Sequence, residues 1–395
     1  MKRIFVLALC SVGCFFGTSA QSVRENILRM VLENNPTLKS VRLTNEAAYW
    51  ESRSGITLSN PEVEFGYQSD FANDGSYKRQ LNLSQEIDFS VVSGRKKRLA
   101  VAQNALNEKE YQKSSKEVEG EILQLLDRMV YLRKKRDMYI QRIDNSKQIV
   151  DLYERSWKNG DCSKLNYNRA RLSLADVVAS YQTNYLELNS AYMRLTTANG
   201  GAAIDTAGLG YDETTLPLEF DSWFASVVDS LPDVQASMQQ HTLYEAEKKL
   251  AQSYWWPKLT AGYQSERTND ENFHGLNVGL SLPLWENRNS VKAAKLKVSA
   301  AEAQTNIRKQ SQHDAIYQLY SQARELEKLY ATYGESLSNI LEMKALLQKA
   351  VEAGEMSLTD YLVEVSTYYD LTEKLLDAEY QYQQSKTALV IYEKF

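Results

Sequence analysis

Four short segments alternate strictly between apolar and polar residues. In 62–70, Val63, Phe65 and Tyr67 share one face, and Glu62, Glu64, Gln68 and Asp70 the other. In 79–89, Leu81, Leu83, Ile87 and Phe89 oppose Gln80, Asn82, Ser84, Glu86 and Asp88. In 258–266, Leu259, Ala261 and Tyr263 oppose Lys258, Thr260, Gln264 and Glu266. In 276–284, Leu276, Val278, Leu280, Leu282 and Leu284 oppose Asn277, Gly279 and Ser281. A period of two predicts strands with one apolar face. Each segment has about nine to eleven residues, the length a tilted strand needs to cross a bilayer. They form two hairpins whose loops, Phe71 to Lys78 and Arg267 to Phe273, hold Asn, Asp and Gly. Trp255, Trp256 and Trp285 stand at strand ends, where an aromatic girdle of a membrane barrel would lie.

After each hairpin the period changes to that of a helix. Val118, Ile122, Leu125, Met129, Leu132, Tyr139, Ile143, Val150, Tyr153 and Trp157 follow a 4-3 spacing broken only at Arg136 and Ser146. Ile316, Leu319, Ala323, Leu326, Tyr330, Tyr333, Leu337, Ile340, Leu347 and Val351 repeat it, broken at Lys344. Sustained heptads predict coiled-coil packing. A helix from Arg95 to Trp157 would be roughly 95 Å long at 1.5 Å per residue, too long to fold back into a globule. Short breaks follow at Lys158 to Cys162 and Ala353 to Met356, each with a glycine, then returning helices near Ser163 to Ala198 and Ser357 to Lys394. Helices are also predicted before the hairpins, at Val23 to Ser54 and Asp221 to Tyr254.

The two halves repeat each other. Gly66-Tyr67-Gln68-Ser69-Asp70 recurs as Gly262-Tyr263-Gln264-Ser265-Glu266, an offset of 196, which also relates Pro36 to Pro232 and Pro61 to Pro257. Gly160 and Ser163 recur as Gly354 and Ser357, an offset of 194. The predicted organisation is a signal peptide at 1–20, a first repeat at 21–199 (hairpin 62–89, tip near 158–163), a linker at 200–220, and a second repeat at 221–395 (hairpin 258–285, tip near 353–357).

The amino terminus reads as a secretory signal: Lys2 and Arg3, an apolar run from Ile4 to Phe16, and Thr18-Ser19-Ala20 before a cut. Lipidation at Cys14 is the alternative, although Ser11-Val12-Gly13 is a poor lead-in to it. Removing residues 1–20 moves the net charge from −5 to −7 and leaves Cys162 as the one cysteine, so no intrachain disulfide forms. A mildly acidic chain gives no support for nucleic-acid binding. His241, His274 and His313 are scattered, and no HExxH, CxxC or GxSxG occurs, so no catalytic set, cofactor or metal site is expected.

Four strands cannot close a barrel across a membrane, but three chains would supply twelve strands, together with six helical hairpins in a ring. Closure would also remove exposed strand edges. The fold class expected is mainly α with a membrane β-barrel, internally duplicated, its long helical hairpins forming an α-barrel. A soluble sheet with one wet face is the alternative.

In order of elements, in Asn35-Pro36, Asn60-Pro61-Glu62-Val63 and Ser281-Leu282-Pro283-Leu284-Trp285, and in its two glycine breaks, the chain resembles the TolC-type outer membrane efflux protein family. The resemblance covers essentially all of the mature chain. It implies a homotrimeric barrel among outer-membrane lipid, continued by a periplasmic α-helical tunnel. It also implies docking to a periplasmic adaptor (a membrane fusion protein) and an inner-membrane pump of RND or ABC type. The docking tips implied are Gly160, Ser163 and Leu165 with Gly354, Ser357 and Leu358. An acidic periplasmic gate is implied at Asp360. The matching position of the first hairpin is Asn166 and a second acidic position nearby is Val363, which weakens a carboxylate gate. If the polar strand faces line a lumen, Glu62, Glu64, Glu86, Asp88 and Glu266 make its upper part acidic. The function expected is a passive exit duct of an efflux or type I secretion system, opened by its adaptor. The alternative is a periplasmic coiled-coil scaffold anchored in the outer membrane, without transport.

Overall fold

A computed structural model describes residues 17–69, 77–352 and 355–392. Most of the signal segment with Cys10 and Cys14, the loop at 70–76, Ala353 and Gly354 lie outside the described residues. The chain divides into two compact units. One comprises residues 1–39, 115–227 and 313–395; the other comprises 40–114 and 228–312.

The second of these units holds the sheet. Strands β1 (Glu62–Ser69), β2 (Tyr77–Ile87), β3 (Lys258–Arg267) and β4 (Asn272–Ser281) form one antiparallel sheet in sequence order. The register puts Phe65 opposite Leu81, Leu83 opposite Tyr263, and Ala261 opposite Val278, so the apolar residues of all four strands share a face. That face is solvent-exposed: Val63, Phe65, Leu276 and Val278 all lie open. Among the described residues no layer of helices covers it, as a soluble sheet would need. An exposed apolar face of this size marks a lipid or partner contact. β1 and β4 are edges within the chain.

Two strands differ from the alternation. β2 begins at Tyr77, inside the expected loop. β4 runs from Asn272 to Ser281, four residues earlier at its start than expected, and ends before Leu282. Pro283 explains the end, because it has no N–H for a ladder. The earlier start follows from a tight turn over Thr268–Glu271, closed by Thr268 N–H to Glu271 O at 2.9 Å. That turn leaves Asn272 and Phe273 free to pair with Arg267 and Glu266. The repeated Gly-Tyr-Gln-Ser motif has a steric basis in its second copy only. A Cβ on Gly262 would lie 2.8 Å from the Leu83 carbonyl oxygen, whereas one on Gly66 would meet only the Gln80 side chain at 3.7 Å.

Before each hairpin, the expected single helix is two. α1 (Gly17–Asn34) and α2 (Pro36–Arg53) are divided at Pro36, whose ring suits a first helical position, and Asn35 Oδ1 accepts from Leu38 N–H at 3.0 Å. After the short α3 (Phe89–Val92), the long α4 (Arg95–Asn159) and α5 (Lys164–Ala198), the same break recurs 196 residues on. There α6 (Phe220–Val227) and a 3-10 turn at Val228–Ser230 precede α7 (Pro232–Ser253), again with proline first. α8 (Ser290–Glu352) and α9 (Leu358–Val390) complete the second copy; α9 ends short of Lys394. α4 has 65 residues and α8 has 63, without interruption.

In the sheet-bearing unit α4 and α7 pack through Leu99, Ala102, Leu106 and Leu243, Lys113–Asp233 (2.8 Å) ties their surfaces, and Lys309 of α8 pairs with Asp229 of the 3-10 turn at 2.7 Å. The other unit has the main core: Ile27 and Val31 of α1, Leu126, Met129 and Leu132 of α4, and Ala191 and Leu195 of α5. The helix-free segment between repeats joins it through Ile204 and Leu209. At its start Asn34 Nδ2 donates to Asn199 Oδ1 at 3.0 Å, and Gly200, at φ +69, brings its Cα close to the Asn34 carbonyl. Among the described residues no helix is long and apolar enough to cross a membrane, and no group of three His, Cys, Asp or Glu is placed to hold a metal ion.

Candidate functional site

The two hairpin tips are built alike. Asp161 N–H donates to Ser156 O, and Glu355 N–H to Ala350 O, each at 2.8 Å and 194 residues apart. Gly160 has φ +86, a conformation that costs any other residue strain, and its N–H closes on Trp157 O at 3.1 Å. Ser163 and Ser357 are the N-caps of α5 and α9, accepting from Asn166 N–H at 3.3 Å and Asp360 N–H at 3.1 Å. Such a cap contributes about 1 kcal/mol. Leu165 is exposed on the first turn of α5. Leu358 opens α9, and Gly354 lies outside the described residues.

Asp360 and Asn166 therefore occupy the same capping position. The Asp360 carboxylate also accepts from the Ser357 hydroxyl at 2.6 Å, at a helix N-terminus that favours negative charge. Asn166 has no charge to place there. Beneath the first tip, Ile149, Tyr153 and Ala170 form a small core that Tyr361 and Leu362 of α9 enter. Cys162 is part of it, its thiol donating to Tyr153 O at 3.5 Å. Trp157 stacks on Tyr167 at 5.5 Å with Lys164 above it.

Above the tips α4 and α9 meet along a polar seam. Arg142 reaches Asp370 (3.3 Å) and Ser366 (3.4 Å), and Asn145 donates to the Tyr369 hydroxyl. Lys135 meets Glu373 at 2.7 Å and the Tyr139 hydroxyl donates to the same carboxylate at 3.0 Å. Lys134 pairs with Glu379 at 2.6 Å. Burial alone would raise the Glu373 carboxyl, but the hydrogen bond and charge of Lys135 overcome it and hold Glu373 below its ordinary range. Burial, then Glu373, pushes the Tyr139 hydroxyl up to about 12, despite the nearby Lys135 charge. Each half-exposed pair in such a seam is worth only about 0–1 kcal/mol, so the seam is strong in sum and weak at each rung.

The seam ends in a buried knot. Arg24 Nη1 of α1 donates to Asp127 Oδ1 at 2.8 Å, and the Thr387 hydroxyl of α9 to Asp127 Oδ2 at 2.6 Å. Asp127 is wholly buried and Arg24 nearly so. Burial pushes the Asp127 carboxyl above its ordinary range, opposed by Arg24 and Thr387.

None of these seam residues stands out by residue type, because charges on a long helix ordinarily face water. The available signal was the row Ser366, Glu373, Tyr380 and Thr387, polar at every seventh position of α9.

In the sheet, Glu62, Glu64, Glu86 and Glu266 all lie on the polar face. Two are neutralised there: Lys258 meets Glu86 at 3.1 Å and Lys78 meets Glu266 at 2.9 Å. Glu64 accepts from Asn82 at 3.3 Å. Asp88 stands apart, past the end of β2. It caps α3 by accepting from Ser90 N–H at 2.7 Å and pairs with Lys96 at 3.0 Å. Its sequence neighbourhood continues the alternation, but a helix starts at Phe89 and takes the carboxylate as its cap.

A family profile described as "Outer membrane efflux protein" matches residues 27–201 and 225–391, one stretch per repeat. The chain belongs to the outer membrane efflux protein family. It is accordingly an outer-membrane channel with a periplasmic extension, and not an enzyme. Solved structures share the fold at low identity. A membrane protein from Pseudomonas aeruginosa is 16% identical with a TM-score of 0.80, over 94% of this chain and 92% of that one. VceC, an outer membrane protein of Vibrio cholerae, is 13% identical with a TM-score of 0.77, over 95% and 97%. The Campylobacter jejuni CmeC outer membrane channel is 17% identical with a TM-score of 0.74, over 93% and 85%. A search of curated proteins found no match.

Proposed function

We propose that this efflux-family channel is the passive exit duct of a tripartite efflux system, or of the related type I secretion arrangement. Three copies close twelve strands into one barrel, and their helical hairpins form the periplasmic tunnel. The observation that carries this reading is the sheet itself: an exposed apolar face, an opposite polar face, and two edges left unpaired within the chain. In lipid every edge must be paired, and only neighbouring copies supply the partners. The polar face then lines the lumen, where Glu62 and Glu64 keep a modest negative character that Lys78 and Lys258 offset further along. Trp255, Trp256 and Trp285, all exposed beside the strands, are the girdle residues.

The periplasmic end is gated. The α4–α9 seam holds the two hairpins of a chain together, and a periplasmic adaptor that grips the tips separates them rung by rung. Gly160, Ser163 and Leu165 form one docking knob and Gly354, Ser357 and Leu358 the other. Asp360, with Asn166 at the matching place, lies just inside the constriction and favours cations there. The energy comes from an inner-membrane pump of RND or ABC type.

Affinity purification of the full chain from detergent-solubilised cells tests the partners. A periplasmic adaptor and an inner-membrane pump are expected to co-purify, and a charge placed in the tip by Leu165→Asp is expected to reduce their recovery at least fivefold. Recovery of neither partner, under conditions that preserve the assembly, would leave an anchored scaffold as the better reading.

A further inference from the structure

The apolar face of the sheet changes character in its last row before the turns. The register sets Tyr67 of β1, Arg79 of β2, Arg267 of β3 and Asn272 of β4 side by side. Each shares parity with an apolar residue of its own strand, Phe65, Leu81, Tyr263 and Leu276, so the whole row lies on the apolar side. Both arginines are exposed. The Arg79 guanidinium lies over the Tyr77 ring at 4.9 Å and the Tyr67 ring at 5.8 Å.

Two like charges directly opposite each other on neighbouring strands repel. On the polar face each cation near a strand end has its carboxylate: Lys78 meets Glu266 and Lys258 meets Glu86. Among the described residues neither Arg79 nor Arg267 has one. The height of the row says what supplies the missing anion. β3 has 10 residues. It climbs about 30 Å along itself, or roughly 23 Å upright at a tilt of about 40°, close to the apolar band of about 25 Å in an outer-membrane barrel. Trp255 and Trp256 stand just before its first residue, at the end joined to the helices, and Arg267 is its last. The helices mark the periplasmic side, so the arginine row lies at the surface of the outer leaflet, between aromatic residues as a barrel rim requires.

We propose that Arg79 and Arg267 form a binding site for a phosphate group of lipopolysaccharide, the anionic lipid of the outer leaflet. A guanidinium presents a planar fork of N–H donors that matches phosphate oxygens, and a phosphate set between two of them turns their repulsion into shared attraction. Stacking on Tyr77 restrains the Arg79 side chain, so less freedom is lost on binding. Asn272 adds an amide at the end of the row. The rows beneath, Phe65 with Leu81 and Val63 with Leu83, are apolar and exposed, and offer the acyl chains of the same lipid a wall to lie against. The inference rests on the lipid-facing sheet proposed above and adds to it a selected lipid.

The full-length protein, purified in detergent and stripped of lipid, is titrated with lipopolysaccharide and read by native mass spectrometry. The unmodified protein is expected to retain the lipid, and to bind lipopolysaccharide whose phosphates have been removed at least tenfold more weakly. That arm needs no substitution, so it stands even where a variant folds poorly. Arg79→Gln with Arg267→Gln is expected to weaken binding of the intact lipid by at least the same factor. Lys78→Gln with Lys258→Gln, which removes as much charge from the polar face, is expected to leave it unchanged. Equal binding of the lipid with and without phosphate would overturn the inference, as would equal loss in the two double variants. Phosphatidylglycerol binding as tightly, or inorganic phosphate displacing the lipid, would also overturn it, since either makes the arginines a site for anions in general. Failure here while Val278→Arg is still rejected from the membrane removes the lipid site and keeps the lipid-facing sheet. Tolerance of Val278→Arg removes that orientation itself.

Discussion

Asp127→Ala is expected to cost the helical unit about 3–5 kcal/mol, the usual penalty for removing one partner of a buried ion pair. The loss is large because Arg24 stays behind, nearly sealed from water, with its charge uncompensated. Arg24 then keeps the Leu123 carbonyl at 3.2 Å as an acceptor, and the Thr387 hydroxyl loses its own. Thermal unfolding of the detergent-extracted protein measures the effect. The double replacement Arg24→Met with Asp127→Leu is expected to recover most of the loss, because it removes both charges instead of orphaning one. Equal destabilisation by the single and double changes would mean that shape, not charge, decides stability at this knot. The knot joins α1 and α4 of the first repeat to α9 of the second, so its loss is also expected to loosen the upper end of the polar seam.

The second large effect lies in the sheet. Val278 sits midway along β4 on the apolar face, 76% exposed and opposite Ala261, while Asn277 beside it faces the other way. An arginine on the lipid face at mid-membrane costs about 2–4 kcal/mol, whereas lumen positions tolerate charge. Val278→Arg is therefore expected to deplete folded protein from the outer membrane sharply, and Asn277→Arg to leave its amount nearly unchanged. Denaturant unfolding in lipid vesicles separates the two. Equal tolerance of both substitutions would be incompatible with a lipid-facing apolar side.

How much of this was legible in the sequence depended on how regular the signal was. The alternation of Val63, Phe65 and Tyr67 against Glu62 and Glu64 is unambiguous, and β1 begins where it does. For β4 the alternation ran on through Leu282 and Leu284, but a ladder needs donors and Pro283 has none. Heptads gave the long helices to within two residues at Asn159, since a coiled-coil row is periodic up to the glycine that stops it. Helix breaks at Pro36 and Pro232 were missed because proline suits a first helical turn, so one residue can both interrupt a helix and begin the next. The seam was harder still. Arg142, Lys135 and Glu373 look like solvated charges along their own helix, and only the partner helix, more than two hundred residues away in sequence, gives them a role. Asp88 failed for the opposite reason: its parity matched the polar face, but a cap on α3 claimed it first.

Single-channel recording in planar lipid bilayers tests the channel most directly, using the purified full-length protein and a variant with its seam weakened by Arg142→Ala and Glu373→Gln. Discrete current steps are expected from the unmodified protein, with conductance raised several-fold in the variant as the rungs between α4 and α9 are removed. A flat trace from both proteins, at amounts shown to insert into the membrane, would contradict a water-filled duct through this fold.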